Sequence, residues 1–369
     1  MTVDRVWRSL PVKSSEVSLA KVLRCGQTFR WKNIDHVWSF SVDDRIILLK
    51  QEDDDLQFSW IMPEDKMENT NRQEKETLDF INDYFSLSTS LESLYSDWLK
   101  VDEKYRKKIG SSPFIKFPGI RILRQDPWET TVSFICSSNN NVKRISKMVD
   151  SICTNFGTYI NDFEGIPFYS FPKPKDLAKP ETEGLLRDLG FGYRAKYIYK
   201  TACKFVDNEE FPEITIEQLN AMRSKSYDEA HQFLLQLDGV GPKVADCICL
   251  MALDKHDIVP VDTHVYQIAM RDFKFKGKKD LKTMNQQVYH EIRLFFKELF
   301  GDYSGWAQSV LFASDLSDLN NGVNQISTKE VKVENDSIEI KKRKVITTAD
   351  EKITKETKTV IKKRRNLQV

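Results

Sequence analysis

Two stretches near the start of the chain alternate between apolar and polar positions. Trp38, Phe40 and Val42 are interleaved with Ser39 and Ser41, and Leu56, Phe58 and Trp60 with Gln57 and Ser59. A period of two sends successive side chains to opposite faces, so both stretches predict half-buried antiparallel strands. Residues 45–50 between them carry an unbroken apolar run, which predicts a more deeply buried strand. From about Gln73 the spacing becomes helical and largely stays so. Val288, Ile292, Phe295, Phe296 and Leu299, for example, fall on one helix face. Pro113, Pro118 and Gly119 punctuate a junction near 109–119. The pattern predicts an α+β chain: an antiparallel β-rich N-terminal domain over 1–115, then an all-α domain over 116–318.

The end of the chain reads differently. After Phe312 there is no Phe, Trp or Tyr, and Ser, Thr, Asn and mixed charges dominate. Such a composition buries too little apolar surface to offset its ordering entropy, so 319–369 is expected to be a disordered basic tail. Residues 327–369 hold 13 Lys/Arg against 7 Asp/Glu, a net of +6. With 56 Lys+Arg and 55 Asp+Glu in the whole chain, the remainder carries −5. A nucleic-acid partner would therefore be met by a local patch and backbone groups rather than by a global basic field. The tail clusters Lys341-Lys342-Arg343-Lys344 and Lys362-Lys363-Arg364-Arg365 are spaced like a bipartite import signal, which points to the nucleus; a solvated charge run has the same composition. A mitochondrial address is only weakly suggested by Arg5 and Arg8, which stand beside Asp4 and Glu16. No apolar run approaches the roughly 20 residues of a membrane helix, so no membrane span is expected. The six cysteines include no Cys-x-x-Cys pair, which supports neither a zinc ribbon nor a thioredoxin-type site.

The chemistry concentrates between residues 228 and 265. A helical run over 228–237 and another over 244–253 flank Gly239-Val240-Gly241-Pro242-Lys243. Two glycines let the backbone turn sharply and approach a ligand, and Pro242 suits the first position of the second helix. The free N–H groups there favour an anion such as a DNA phosphate. This is a helix-hairpin-helix signature, although an ordinary αα-hairpin with a glycine turn shares its local pattern. Lys243 is out of place in a first helical turn, where a cation opposes the helix dipole by about 0.3–1 kcal/mol. The same positive potential, with burial, lowers an amine's pKa, the usual route to a nucleophilic lysine. A lysine that bends to solvent or touches phosphate fits the position equally well. Asp262, 19 residues later in Val259-Pro260-Val261-Asp262-Thr263-His264, opens another helix. It suits an N-cap, and near Lys243 its carboxylate could also stabilise an oxocarbenium-like cation of the kind met in glycosidic cleavage.

Gly239-Val240-Gly241-Pro242-Lys243-Val244-Ala245-Asp246-Cys247 with Val259-Pro260-Val261-Asp262 resembles the lysine-type helix-hairpin-helix DNA glycosylases, and within them the eukaryotic-type 8-oxoguanine DNA glycosylase/AP lyases. Residues 26–31 (GQTFRW), 134–141 (FICSSNNN), 190–197 (GFGYRAKY) and 305–312 (GWAQSVLF) agree, so that the resemblance spans about 7–316. It implies a TBP-like β-rich N-terminal domain before the glycosylase domain. It also implies a bifunctional, monomeric enzyme that uses no cofactor or metal, acting on double-stranded DNA containing 8-oxoguanine opposite cytosine. Endonuclease III-like relatives carry four cysteines after the Asp segment. Here the last cysteine is Cys249, which argues against that branch and its iron–sulfur cluster.

The resemblance also implies roles. Lys243 is expected to attack C1′ of a flipped nucleotide, forming a Schiff base that β-elimination resolves into a nick, with Asp262 assisting the first step. The Gly26 carbonyl is expected to accept the N7–H that 8-oxoguanine has and guanine lacks. Phe312 and Cys247 would sandwich the ring, and Gln308 would bind its Watson–Crick edge. Asn139, Arg144 and Arg194 would read the orphaned cytosine, with Tyr193 as a wedge. Gly239 and Gly241 shape the phosphate-binding turn, and His264 would contact a phosphate. Two other readings stay open: a helix-hairpin-helix glycosylase for another damaged base, and a non-catalytic DNA-binding module.

Overall fold

The computed structural model describes residues 5–42, 44–52, 54–66, 70–106, 111–207, 209–277, 285–316 and 325–326. The N-terminal third is built on β1 (Arg8–Leu10), β2 (Lys32–Ile34), β3 (Val37–Val42), β4 (Arg45–Glu52) and β5 (Asp55–Ile61), with a short helix α1 (Leu19–Val22) after β1. Helices α2 (Thr70–Tyr84) and α3 (Leu91–Asp102) follow. The sheet order is β1-β5-β4-β3-β2, antiparallel throughout. At the β2 edge, β8 (Gln325–Ile326) adds two residues in parallel. These fall within the stretch expected to be a disordered tail, whose remaining residues lie outside the described ones.

The larger part is helical: α4 (Pro113–Lys116), α5 (Pro127–Ser137), α6 (Val142–Phe156), α7 (Pro174–Leu177), α8 (Thr182–Asp188), α9 (Arg194–Lys204), α10 (Ile216–Ala221), α11 (Tyr227–Leu235), α12 (Pro242–Ala252), α13 (Thr263–Phe273), α14 (Gln286–Phe300) and α15 (Ser304–Asp315). Side chains cap the ends as the sequence allows: Asp126 for α5, Asn141 for α6, Ser226 in a capping box for α11, and Asn285 for α14. Among the described residues no helix is long and apolar enough to cross a membrane.

One hairpin, β6 (Tyr159–Phe163) with β7 (Ile166–Tyr169), interrupts the region expected to be all-α. Its Ile160, Phe163, Ile166 and Phe168 pack on Ile34, Val37, Ile46 and Leu48 of the sheet. The opposite sheet face packs Trp38, Phe40, Ile47, Leu49 and Phe58 against Ile81, Tyr84 and Phe85 at the end of α2. Both faces are therefore covered. This accounts for the unbroken apolar run of β4, and it corrects the half-buried reading of β3. Ser39 and Ser41 are buried too, and the Ser41 hydroxyl donates to the Tyr169 carbonyl at 2.7 Å.

The helical part holds two cores. One gathers α5, α6, α9, α11 and α12; the other gathers α3, α13, α14 and α15. Helix α12 borders both, since its Cys247 belongs to the first and its Leu250 to the second. The seam between these cores is where the site forms.

Candidate active site

Helices α11 and α12 form the hairpin read from the sequence, with Pro242 at the first position of α12. Its two glycines serve different ends. Gly239 has φ +81°, and a Cβ there would stand 2.8 Å from Cβ and Cγ of Tyr197 on α9. Gly241 has φ −94° and nothing within 4 Å of such a Cβ. The fold itself requires the first glycine, whereas the second leaves the surface open. Gly241 is also the N-cap of α12 and offers no side-chain acceptor, so the N–H groups of the first turn keep no capping partner. Helix α9 braces the turn from behind: Thr201 donates to the Asp238 carbonyl at 3.0 Å, and Lys204 pairs with the Asp238 carboxylate at 3.0 Å.

Lys243 lies one turn into a cavity of about 70 Å³ whose lining comes from five parts of the chain. Cys25, Gly26 and Gln27 enter from the N-terminal third, Phe134 from α5, and Lys243, Cys247 and Met251 from α12. Pro260, Asp262 and Val265 come from the start of α13, and Gln308, Ser309 and Phe312 from α15. Gly26, Lys243, Cys247, Asp262, Gln308 and Phe312, expected from the sequence to act together, thus share one cavity. Phe134, Met251 and Val265 were not anticipated; their helical spacing reads as ordinary core. The cavity is smaller than the roughly 150 Å³ that accommodates a benzene, so a purine enters only with movement of side chains at its mouth.

Asp262 caps α13 through one oxygen: Oδ1 accepts from the N–H groups of His264 at 3.0 Å and Val265 at 2.9 Å. The capping and chemical readings of this carboxylate are compatible, because neither cap falls on Oδ2. Gln308 is only 5% exposed, and its amide has no hydrogen-bond partner among the described residues. Its amide atoms keep access to the cavity, where the polar edge of a ligand can meet them. His264 stands 3.4 Å from Asp315, with its ring edge-on to Phe312 at 5.2 Å.

The Lys243 amine departs from the sequence expectation. Its pKa is raised above the ordinary 10.5 by the Cys247 sulfur, one turn away, and by Asp262, which together outweigh burial. Burial in turn pushes the Cys247 thiol up. The direction of the Lys243 shift is opposite to the one expected for this amine from the helix dipole and burial.

A second group of expected residues assembles at the end of α5. Arg194 donates to the carbonyls of Ser138 and, at 3.2 Å, of Asn139, while the Tyr193 hydroxyl donates to Ser138 at 3.1 Å. Arg144 donates to the Gly190 carbonyl at 3.3 Å. Asn139 and Arg144 are exposed, and Tyr193 is 49% exposed. Arg194, by contrast, is buried against its neighbours, with Nε lacking a hydrogen-bond partner among the described residues. Helix α5 spans from this group to the cavity, which it lines through Phe134.

Two further features frame the site. A larger cavity of about 760 Å³ opens between the sheet and the helices but shares no lining residue with the Lys243 cavity, and Arg30 and Arg45 in it are paired with Glu129 at 2.7 Å and Glu76 at 2.6 Å. Among the described residues no three His, Cys, Asp or Glu side chains stand together as a metal would require.

Residues 9–131 match the family of the 8-oxoguanine DNA glycosylase N-terminal domain, and 132–292 match the helix-hairpin-helix superfamily of base excision DNA repair proteins. An N-glycosylase/DNA lyase of Saccharomyces cerevisiae is 37% identical over 334 residues, covering 83% of this chain and 85% of the yeast protein. An N-glycosylase/DNA lyase of Arabidopsis thaliana is 35% identical over 313 residues, covering 84% and 80%. The solved 8-oxoguanine glycosylase/lyase of Clostridium acetobutylicum, bound to double-stranded DNA with cytosine opposite 8-oxoguanine, is 28% identical, with a TM-score of 0.63 over 81% of this chain and 91% of that one. The chain thus belongs to the 8-oxoguanine DNA glycosylase family of helix-hairpin-helix base excision repair proteins, and it is an N-glycosylase and DNA lyase.

Proposed function

We propose that this enzyme excises 8-oxoguanine opposite cytosine and then nicks the abasic strand. The observation that carries the reading is the single cavity in which Gly26, Lys243, Cys247, Asp262, Gln308 and Phe312 meet from distant parts of the sequence. The target nucleotide leaves the stack and enters this cavity, a step that costs a few kcal/mol and is cheapest at a damaged pair. Phe312 and Cys247 hold the ring between them. The otherwise partnerless Gln308 amide takes up its Watson–Crick edge, and the Gly26 carbonyl accepts N7–H. Guanine presents a lone pair at that position, and one buried hydrogen bond exchanged for a repulsion is worth about 1–3 kcal/mol.

Lys243 then attacks C1′ and displaces the base, while the Oδ2 side of Asp262 stabilises the cationic sugar that develops. The proton that the Lys243 amine sheds passes to the departing base as the new C–N bond forms, so that the base leaves neutral. The resulting Schiff base permits β-elimination, which breaks the strand 3′ to the lesion. The uncapped start of α12 binds a nearby phosphate, and His264 contacts another. Asn139, Arg144, Arg194 and Tyr193 face the orphaned cytosine. For Arg194 this requires releasing its carbonyl contacts in favour of the base. The protein works as a monomer, and the basic clusters of 341–344 and 362–365 direct it to the nucleus.

The experiment is single-turnover excision from duplexes carrying 8-oxoguanine opposite each of the four bases, alongside duplexes with an alkylated purine or an oxidised pyrimidine. Fastest release of 8-oxoguanine opposite cytosine is expected. Faster release of another lesion would move the enzyme to a different substrate class.

A further inference from the structure

The cavity has two walls that belong to different parts of the fold: the Cys25–Gln27 segment on one side and α12 on the other. Recognition of N7–H by a main-chain carbonyl depends on their separation, because a peptide group cannot re-aim by changing rotamer. Gln27 shares its peptide with Gly26 and is 2% exposed. Its side chain is held at both ends, with Oε1 accepting from the Leu123 N–H at 2.9 Å and Nε2 donating to the Arg121 carbonyl at 2.8 Å. Its own carbonyl accepts from Gln125 Nε2 at 2.8 Å.

Gln125, 6% exposed, is in turn fastened to the end of α12. Its N–H donates to the Met251 carbonyl at 3.0 Å. Its carbonyl accepts from Arg223 at 2.8 Å, and the same guanidinium donates to the Ala252 carbonyl at 2.8 Å. A continuous run of buried and part-buried hydrogen bonds therefore leads from the Gly26–Gln27 peptide to the helix that carries Lys243 and Cys247. Neither glutamine side chain is needed to close an element of secondary structure, and both bond to main chain from another part of the fold.

We propose that Gln27 and Gln125 are specificity-determining positioning residues. They set the distance between the Gly26 carbonyl and α12, and so the preference for a base that carries N7–H. The inference rests on the reading of Gly26 as the N7–H sensor. Loosening this strap costs base discrimination while leaving the chemistry of Lys243 on an abasic site alone, since no base occupies the cavity in that reaction.

The test measures binding in a Lys243→Gln background, so that no turnover intervenes, to three duplexes: 8-oxoguanine:C, guanine:C and a tetrahydrofuran abasic analogue opposite C. The parent should prefer 8-oxoguanine over guanine; a parent with no preference overturns the reading of Gly26 and the inference with it. Adding Gln125→Met should reduce that preference about tenfold, the scale of one buried hydrogen bond, and leave abasic binding within about twofold. With Lys243 intact, Gln125→Met should nick a preformed abasic site at the normal rate while 8-oxoguanine excision slows by a similar factor. Gln125→Asn, too short to reach the Gln27 carbonyl, gives the same readout if Gln125→Met does not fold. An unchanged preference, or an equal loss on all three duplexes, would overturn the proposal.

Discussion

The two glycines of the hairpin turn can be separated experimentally, because the fold needs one and DNA needs the other. In Gly239→Ala the new methyl meets two strains at once. The backbone stays at φ +81°, a region that costs a non-glycine residue about 1–3 kcal/mol, and its Cβ is driven to 2.8 Å from the Cβ and Cγ of Tyr197. Tyr197 sits on α9, which is also tied to Asp238 of the turn, so it cannot simply swing away; overpacking of this kind adds about 1–3 kcal/mol. A loss of about 2–6 kcal/mol in denaturant unfolding is expected. Gly241→Ala meets neither strain. Its φ of −94° is ordinary, its Cβ faces open space, and exchanging one weak N-cap for another costs within about 1 kcal/mol. The methyl does, however, occupy the approach to the uncapped N–H groups of α12. Gly241→Ala should therefore unfold almost as the wild type does yet bind every duplex more weakly, with one fewer phosphate contact and a salt slope shallower by about one unit. Wild-type affinity and salt slope in a folded Gly241→Ala protein would refute the placement of a phosphate at this turn.

The pH dependence of stability follows from the buried thiols. Burial pushes Cys25 up to about 11 and Cys136 and Cys153 up to about 12, from 9.0. Above pH 9 the unfolded chain has lost these protons while the folded chain still holds them. Stability should thus fall as pH rises from 9 to 11, at about 1.4 kcal/mol per pH unit for each thiol, and Cys25→Ala should flatten the curve by that amount; urea midpoints at three pH values would show it. Asp246, buried on α12, accepts from Tyr227 at 2.7 Å and from Tyr289 at 2.6 Å, so Tyr289→Phe should cost about 1–3 kcal/mol in unfolding free energy. Arg144→Ala and Arg194→Ala should each flatten the preference for cytosine over adenine opposite the lesion by about ten- to a hundredfold. Uniform loss opposite all four bases, with a shallower salt slope, would make them backbone anchors instead. Truncation after residue 320 should leave excision on short duplexes nearly intact and abolish nuclear accumulation of a fluorescent fusion.

Much of the site was legible because its chemistry depends on unusual local requirements. A glycine at positive φ, a proline at a first helical position and a capping aspartate leave their marks within residues 239–262, and the hairpin, Lys243 and Asp262 were read from those marks. Gln308 and Phe312 carry no such marks, and Gly26, although a glycine at φ +86°, stands more than 200 positions from the hairpin; only the family pattern set the three beside Lys243. The helix face of α14 was read correctly, with Ile292 and Phe296 fully buried. What stayed hidden was long-range. Nothing near Ser39 or Ser41 announces that a hairpin some 120 residues later covers them, and the short strands of that hairpin match the length of ordinary loops. The direction of the Lys243 shift was not legible along the chain, because it depends on Cys247 and Asp262 standing near the amine in space. The glutamine strap was invisible for a similar reason: Gln27 and Gln125 are 98 positions apart.

The role of Lys243 as nucleophile is tested by borohydride reduction during reaction with an 8-oxoguanine:C duplex, followed by peptide mapping of the covalent adduct. One cross-linked peptide is expected, with the sugar remnant on the Lys243 amine, and no adduct with Lys243→Gln although that variant still binds the lesion. An adduct on any other amine, or trapping that survives Lys243→Gln, would contradict it.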